Sequence, residues 1–309
     1  MKIAFIGQQD FGKAVLEAFL ARGDEVVGVF CKPEKPGEKP DVLREAATGH
    51  GLRVFQFPSL KSAEAEQAMR DIGADIGVMA YVLQFAPQTF VNIPKHGTIQ
   101  YHPSLLPKYR GPSSINWPIA RGDRETGLTI FRPTDGLDEG PVILQKKCPI
   151  GPDETLGDIY FNKLFPLGVQ AMLEAADLVL AGKHTETVQD ESQASYEGWF
   201  KTEESRINWA NHVDQVYDLI RACNPAPGAW CELAGTKVWL YDCRKHPART
   251  FGAVRGKPGE VAEVTDTSLF INAQGGSIEV LRLKPEGGKK MEAGAFARER
   301  GLTAATTGR

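Results

Sequence analysis

The 309-residue chain has little that would cross-link it or carry it into a membrane. Its five cysteines (Cys31, Cys148, Cys223, Cys231 and Cys243) are odd in number and nowhere spaced Cys-x-x-Cys. That pattern offers neither a disulfide frame nor a structural zinc site. No apolar run approaches the roughly 18 residues that a spanning helix requires. Residues 1–7 lack a basic opening and a small-residue cleavage site, so no secretory leader is expected, and the reading is of a reduced, cytoplasmic protein. Charge of one sign is also scarce. Thirty-six Lys and Arg against 39 Asp and Glu leave a net charge of −3, which gives the whole molecule no attraction to nucleic acid or to an anionic membrane. Internal repeats and low-complexity tracts are missing. The Pro-, Lys- and Glu-rich stretch 31–41 balances its charges and reads as a solvated loop.

What is present is the material of an ordinary core: 42% of residues are hydrophobic, and the length favours two domains. The first half alternates strand and helix patterns. Apolar strands are expected at 2–6, 25–30, 54–57, 76–79 and 96–100. Phe11, Val15, Leu16, Phe19 and Leu20 recur at helical spacing between the first two. This rhythm implies an α/β fold, a Rossmann-like, mostly parallel sheet with helices on both faces. A strand pair, 126–131 and 141–146, flanks the turn at 135–138, and an apolar helix interrupted at Pro166 is expected over 155–180. Residues 183–205 turn polar and lose periodicity, which places a linker there between a domain at 1–182 and a second at 206–309. The second domain shows a helix near 213–221 and short strands at 229–233, 237–242, 259–264, 269–273 and 278–284, separated by Gly, Pro and Asp. Such spacing suggests a small barrel of the oligonucleotide-binding (OB-like) kind. Residues 247–258 read as a loop and 301–309 as a frayed end.

Chemistry has few candidates. Gly7, Gly12 and Lys13 approach a phosphate-binding loop after a strand, but position 14 is Ala where a hydroxyl should hold magnesium, and Asp10 is negative. A tight strand-to-helix turn is the better reading. His50, His184, His212 and His246 lie in polar surroundings and His96 at a strand mouth. His102 differs, because it follows a predicted parallel strand at the edge where open α/β sheets place their ligands. The loop after it mixes apolar residues with Pro103, Pro107 and Gly111, a composition that suits a shaped site. Asp135 and Asp138 occupy a second loop, where aspartates usually serve turns.

The run from Gln100 through His102-Pro103-Ser104-Leu105-Leu106-Pro107 to Arg110-Gly111, with Asp138 standing 36 residues past His102, resembles the signature of the 10-formyltetrahydrofolate-dependent formyltransferases. Similarity extends over nearly the whole chain, through residues 195–196, 206–209 and 227–230 to 257–260 and 288–291. Within the family it is closest to the hydrolase domain of 10-formyltetrahydrofolate dehydrogenases and to methionyl-tRNA formyltransferases. One position departs: the transferases carry Asn, and the hydrolase domain an apolar residue, where this chain has Gln100.

The resemblance implies 10-formyltetrahydrofolate as formyl donor and no metal. It implies His102 as donor to the oxyanion, Asp138 as its partner and proton acceptor, and Gln100 as a second amide donor. The pterin is implied to dock against Ala80, Tyr81, Leu83 and Phe85 and against Thr134, Asp135 and Gly136, although core packing is the alternative for Tyr81, Leu83 and Phe85. Ser104, Leu105, Leu106, Pro107, Arg110 and Gly111 form the implied substrate loop, with Ser104 read as a loop cap rather than a nucleophile. Water is the favoured acceptor, and a small amine such as an amino sugar-nucleotide is the alternative. The transfer RNA reading is weaker, because residues 205–309 hold only 15 Lys and Arg against 11 Asp and Glu, and the loop 31–41 is neutral.

Overall fold

The computed structural model describes every residue except 251, 253, 255, 305 and 307–309. The chain divides into two compact units that interleave in sequence. The first comprises Met1–Gly111, Gly127–Cys148 and Phe161–Tyr196; the second comprises Pro112–Thr126, Pro149–Tyr160 and Glu197–Arg309.

The first unit is built on a seven-stranded sheet of order β3-β2-β1-β4-β5-β6-β7. Its strands are β1 (Lys2–Gly7), β2 (Glu25–Phe30), β3 (Val54–Phe55), β4 (Ile76–Ala80), β5 (Thr98–His102), β6 (Glu125–Phe131) and β7 (Val142–Pro149). Strands β1 to β5 pair in parallel, and β6 runs antiparallel to β5. Strand β1 is buried along nearly its whole length, which is why its sequence is a continuous apolar run rather than an alternating one. Helices α1 (Gln9–Ala21), α2 (Val42–Gly49), α3 (Ala63–Asp71) and α4 (Gln88–Val91) connect the strands. Helix α1 buries Phe11, Val15, Leu16 and Phe19, each contributing about 1.5–3 kcal/mol of apolar burial. One core joins Ile3, Phe5, Ile99 and Tyr101 to helix residues on one face of the sheet. A second joins Ala4, Ile6, Met79 and Phe90 on the other. Gly7 lies so close to β4 that a Cβ there would run into the carbonyl oxygen of Ala80, in keeping with a packing role in the turn.

The expected helix at 155–180 is three pieces: α6 (Leu156–Ile159), one π turn (Tyr160–Leu164) and α7 (Phe165–Leu180), with α5 (Asn116–Ala120) earlier in the chain. Pro166 falls in the first turn of α7, where a missing N–H costs no helical bond.

The second unit holds α8 (Val213–Ala222) and two four-stranded antiparallel sheets. The strands are β8 (Ala229–Leu233), β9 (Thr236–Leu240), β10 (Cys243–Pro247), β11 (Val261–Val264), β12 (Leu269–Ala273), β13 (Gly276–Val280), β14 (Arg282–Pro285) and β15 (Met291–Glu292), followed by α9 (Ala293–Glu299). The sheets have the orders β10-β13-β12-β11 and β15-β14-β9-β8. The segment expected as one strand at 278–284 breaks at Leu281 and serves both sheets, so the chain turns a corner there. Strand β10 and helix α9 carry too many charges to stand out in the sequence.

Candidate active site

Sequence alternation places Thr98, Gln100 and His102 on one face of β5. The Thr98 hydroxyl donates to the carbonyl of Val91 in α4 at 2.6 Å, so that face is the α4 side, while Ile99 and Tyr101 enter the opposite core. His102 is the last residue of the strand, two positions further into it than its spacing suggests. It is 6% exposed and Asp138 is 8% exposed. Nε2 of His102 lies 2.8 Å from the carbonyl oxygen of Tyr109. A carbonyl can only accept, so Nε2 carries a proton. Nδ1 faces Oδ2 of Asp138 at 3.6 Å, longer than a direct hydrogen bond, and the same oxygen accepts from the amide N–H of Gly111 at 2.9 Å.

The loop between them is pinned by its own side chains. Ser104 is fully buried, and its hydroxyl donates to the Lys108 carbonyl at 2.6 Å. Thr129 donates to the Ser104 carbonyl and accepts from the amide of Leu106, and the Gln145 amide donates to the Leu106 carbonyl at 2.7 Å. Leu106 is buried, whereas Leu105 and Pro107 are half-buried. Arg110 is committed to side-chain partners: its guanidinium donates to Gln189 Oε1 and to both carboxylate oxygens of Glu191. The Glu191 contact raises the Arg110 pKa and lowers that of Glu191.

Beyond Ala80, which is buried, Tyr81, Leu83 and Phe85 are 40%, 53% and 46% exposed, so none of the three is core. Leu137, in the aspartate loop, is exposed as well. Lys61 stands 4.5 Å from the centre of the Phe85 ring. The Thr134 hydroxyl is buried without a hydrogen-bond partner among the described residues. Oδ1 of Asp135 accepts from the amide of Gln88 at the start of α4 at 2.9 Å, an anchoring role rather than an open one. A Cβ on Gly136 would overlap the Glu139 carboxylate. Gln100 is half-buried, flanked across the sheet by Met79 and Phe131, and its amide makes no hydrogen bond among the described residues.

Sequence reasoning missed the residues that tie these loops together. Thr129 and Gln145 read as plain strand residues, and Gln189 and Ser195 lie in the stretch 183–205 taken for a linker. Instead, Thr187 bridges Val142 in antiparallel fashion. Ser195 then accepts from the Tyr109 amide through its hydroxyl at 2.8 Å and from the Arg110 amide through its carbonyl. Ser195 had one early signal, its place in the stretch 195–196 that shares the family resemblance; Gln189 had none beyond being an amide in a segment without periodicity.

The fold is that of an α/β enzyme, with a buried histidine facing a buried carboxylate at the C-terminal end of a parallel strand. The chain belongs to the formyl transferase family. The family pattern described as formyl transferase matches residues 1–176, and that of the formyl transferase C-terminal domain matches residues 200–301. The chain is 39% identical over 307 residues to the mitochondrial 10-formyltetrahydrofolate dehydrogenase of Mus musculus, an alignment covering 96% of this chain and 33% of that one. It thus spans about a third of that relative's length. It is 33% identical over 301 residues to the methionyl-tRNA formyltransferase of Geobacter sulfurreducens, covering 96% of this chain and 93% of that protein. An N-formyltransferase from Helicobacter canadensis, solved with folinic acid and dTDP-3-aminofucose, shares the fold with a TM-score of 0.70 at 18% identity, over 91% of this chain and 99% of that one. Among the described residues no helix is long and apolar enough to cross a membrane.

Proposed function

We propose that this chain takes the formyl group from 10-formyltetrahydrofolate and passes it to water, releasing formate and tetrahydrofolate, with His102, Asp138 and Gln100 as the reacting site. The observation that carries the reading is the buried His102–Asp138 pair beside an unpaired Gln100 amide. The exposed Tyr81, Leu83, Phe85 and Leu137, with the unpartnered Thr134 hydroxyl, suit the flat, part-polar pterin. Water as acceptor is favoured by the 39% identity to a 10-formyltetrahydrofolate dehydrogenase against 33% to a methionyl-tRNA formyltransferase. In the reaction, the water oxygen bonds to the formyl carbon as the C=O pair moves onto oxygen. Asp138 takes the water proton, the oxyanion pair re-forms the C=O as the C–N10 bond breaks, and N10 leaves with the proton that Asp138 returns. Since Nε2 of His102 is committed to Tyr109, donation from Nδ1 to the oxyanion requires the doubly protonated ring, for which Asp138 is the counter-charge. The domain reading that goes with this places the reacting groups and folate within residues 1–182, with 206–309 as a barrel-like accessory domain. The test is to incubate the protein with 10-formyltetrahydrofolate alone, then with candidate amines, and follow tetrahydrofolate. Release without added amine supports hydrolysis; release only with an amino sugar-nucleotide or methionyl-tRNA assigns transfer instead.

A further inference from the structure

We infer that Gln189 is a positioning residue for Asp138, and that residues 187–196 form a strap whose two polar side chains set the spacing of the reacting pair. The inference rests on the assignment of His102 and Asp138 above. Gln189 is 6% exposed and uses all four hydrogen-bonding valences of its amide. Oε1 accepts from Arg110 Nε at 3.2 Å and from Nη2 at 2.8 Å. Nε2 donates to the carbonyl of Asp138 at 2.9 Å and to that of Gly140 at 2.7 Å. The orientation of the amide is fixed by these partners, because a guanidinium can only donate and a carbonyl only accept. One side chain thus joins Arg110, in the histidine loop, to the backbone on both sides of Glu139, in the aspartate loop.

The geometry needs such a clamp. Asp138 sits at φ +53°, a left-handed conformation that a non-glycine residue keeps only when its surroundings enforce it. The loop has no slack on its far side either, since a Cβ on Gly140 would overlap the Arg132 carbonyl. Six residues further along the strap, Ser195 holds the amide of Tyr109, itself at φ +58°, and the Tyr109 carbonyl holds His102 Nε2. The strap therefore acts on both members of the pair without touching the reacting atoms.

The test compares Gln189→Glu and Gln189→Met, both near in volume, with Asp138→Asn and wild type. The readouts are kcat and KM for 10-formyltetrahydrofolate, affinity for folinic acid, and thermal unfolding. Glu keeps the acceptor for Arg110 and loses the donor to the two carbonyls; Met loses both. Both variants are expected to lower kcat by about 10–100-fold, as a misplaced reacting group does, with KM and folinic acid affinity within threefold of wild type. Turnover within threefold of wild type while Asp138→Asn is inactive overturns the positioning role alone. A matching loss of folinic acid binding, or failure of both variants to fold, overturns it too, because Gln189 then merely supports the fold. Full turnover by Asp138→Asn instead overturns the assignment of the reacting pair.

Discussion

The two compact units spend their unusual backbone differently. Among the described residues, five non-glycine residues have positive φ, and four of them, Gln9, Tyr81, Tyr109 and Asp138, lie in the first unit. Three occupy loops, Tyr81 after β4, Tyr109 after β5 and Asp138 after β6, and Gln9 opens α1 directly after β1. The fifth, Ala234, sits with Gly235 in the tight turn between β8 and β9 of the second unit, where two residues of positive φ match the twist of a hairpin. Buried thiols do not distinguish the units: desolvation pushes Cys31 in the first, and Cys223 and Cys231 in the second, up to about 12. In the first unit the positive-φ residues Tyr81 and Asp138 stand beside the exposed Leu83, Phe85 and Leu137, whereas in the second the strained residue only closes a hairpin.

The comparison breaks first, and most severely, at the reacting pair. Asp138→Asn and His102→Ala are expected to cut formyl release by about 10²-fold or more with thermal unfolding little changed, since neither side chain belongs to an apolar cluster. Turnover near wild type in a folded variant would remove the functional meaning of the strained loops. Gln100 comes next. Gln100→Ile should lower turnover by about 10²-fold if its amide donates to the oxyanion, and Gln100→Asn, which keeps the amide but shortens it, should lose less. An Ile variant as active as wild type would make Gln100 a bystander and favour a hydrolase in which His102 and Asp138 suffice.

In the second unit the expected effects are small and purely structural. Ala234→Asn, placing a residue that tolerates the left-handed region in the turn, should stabilise the protein by about 1 kcal/mol with kcat unchanged. A loss of activity would show that strain in the second unit also serves the site. The smallest effect concerns loop 31–41. Burial of Glu34 would raise its carboxyl, but hydrogen bonds from Gln56 and the Asp41 amide and the charge of Arg44 draw it down to about 2. Its contribution is present above the ordinary carboxylate range near 4.5 and fades as pH falls toward 2. Glu34→Gln should therefore flatten the acid limb of a thermal-unfolding titration slightly; an unchanged limb would show that this ion pair contributes nothing measurable.

Much of the first unit was legible because parallel strands buried on both faces write themselves as apolar runs, and His102 and Asp138 stood out because their 36-residue separation is part of the family resemblance. The ends of elements were less so: β5 begins at Thr98 rather than at His96, since the turn at Pro94–Gly97 occupies the approach. Strand β10 is Cys-Arg-Lys-His-Pro at a sheet edge, where solvent relieves the need for alternation. The bonding roles of Gln189 and Ser195 were illegible for a different reason. Their work is done by single side chains bonded to backbone far away in sequence, and such bonds leave no period to find.

Asp135 gives the two loops of the candidate site a shared hinge. Its carboxylate, three residues before Asp138, holds the first amide of α4, three residues after the exposed Phe85. A flat ligand pressing on the aromatic rim would load the same short lever that carries Asp138, the proposed proton acceptor. Occupancy and reactivity would then be joined mechanically, through one hydrogen bond, before any atom of the ligand reached Asp138.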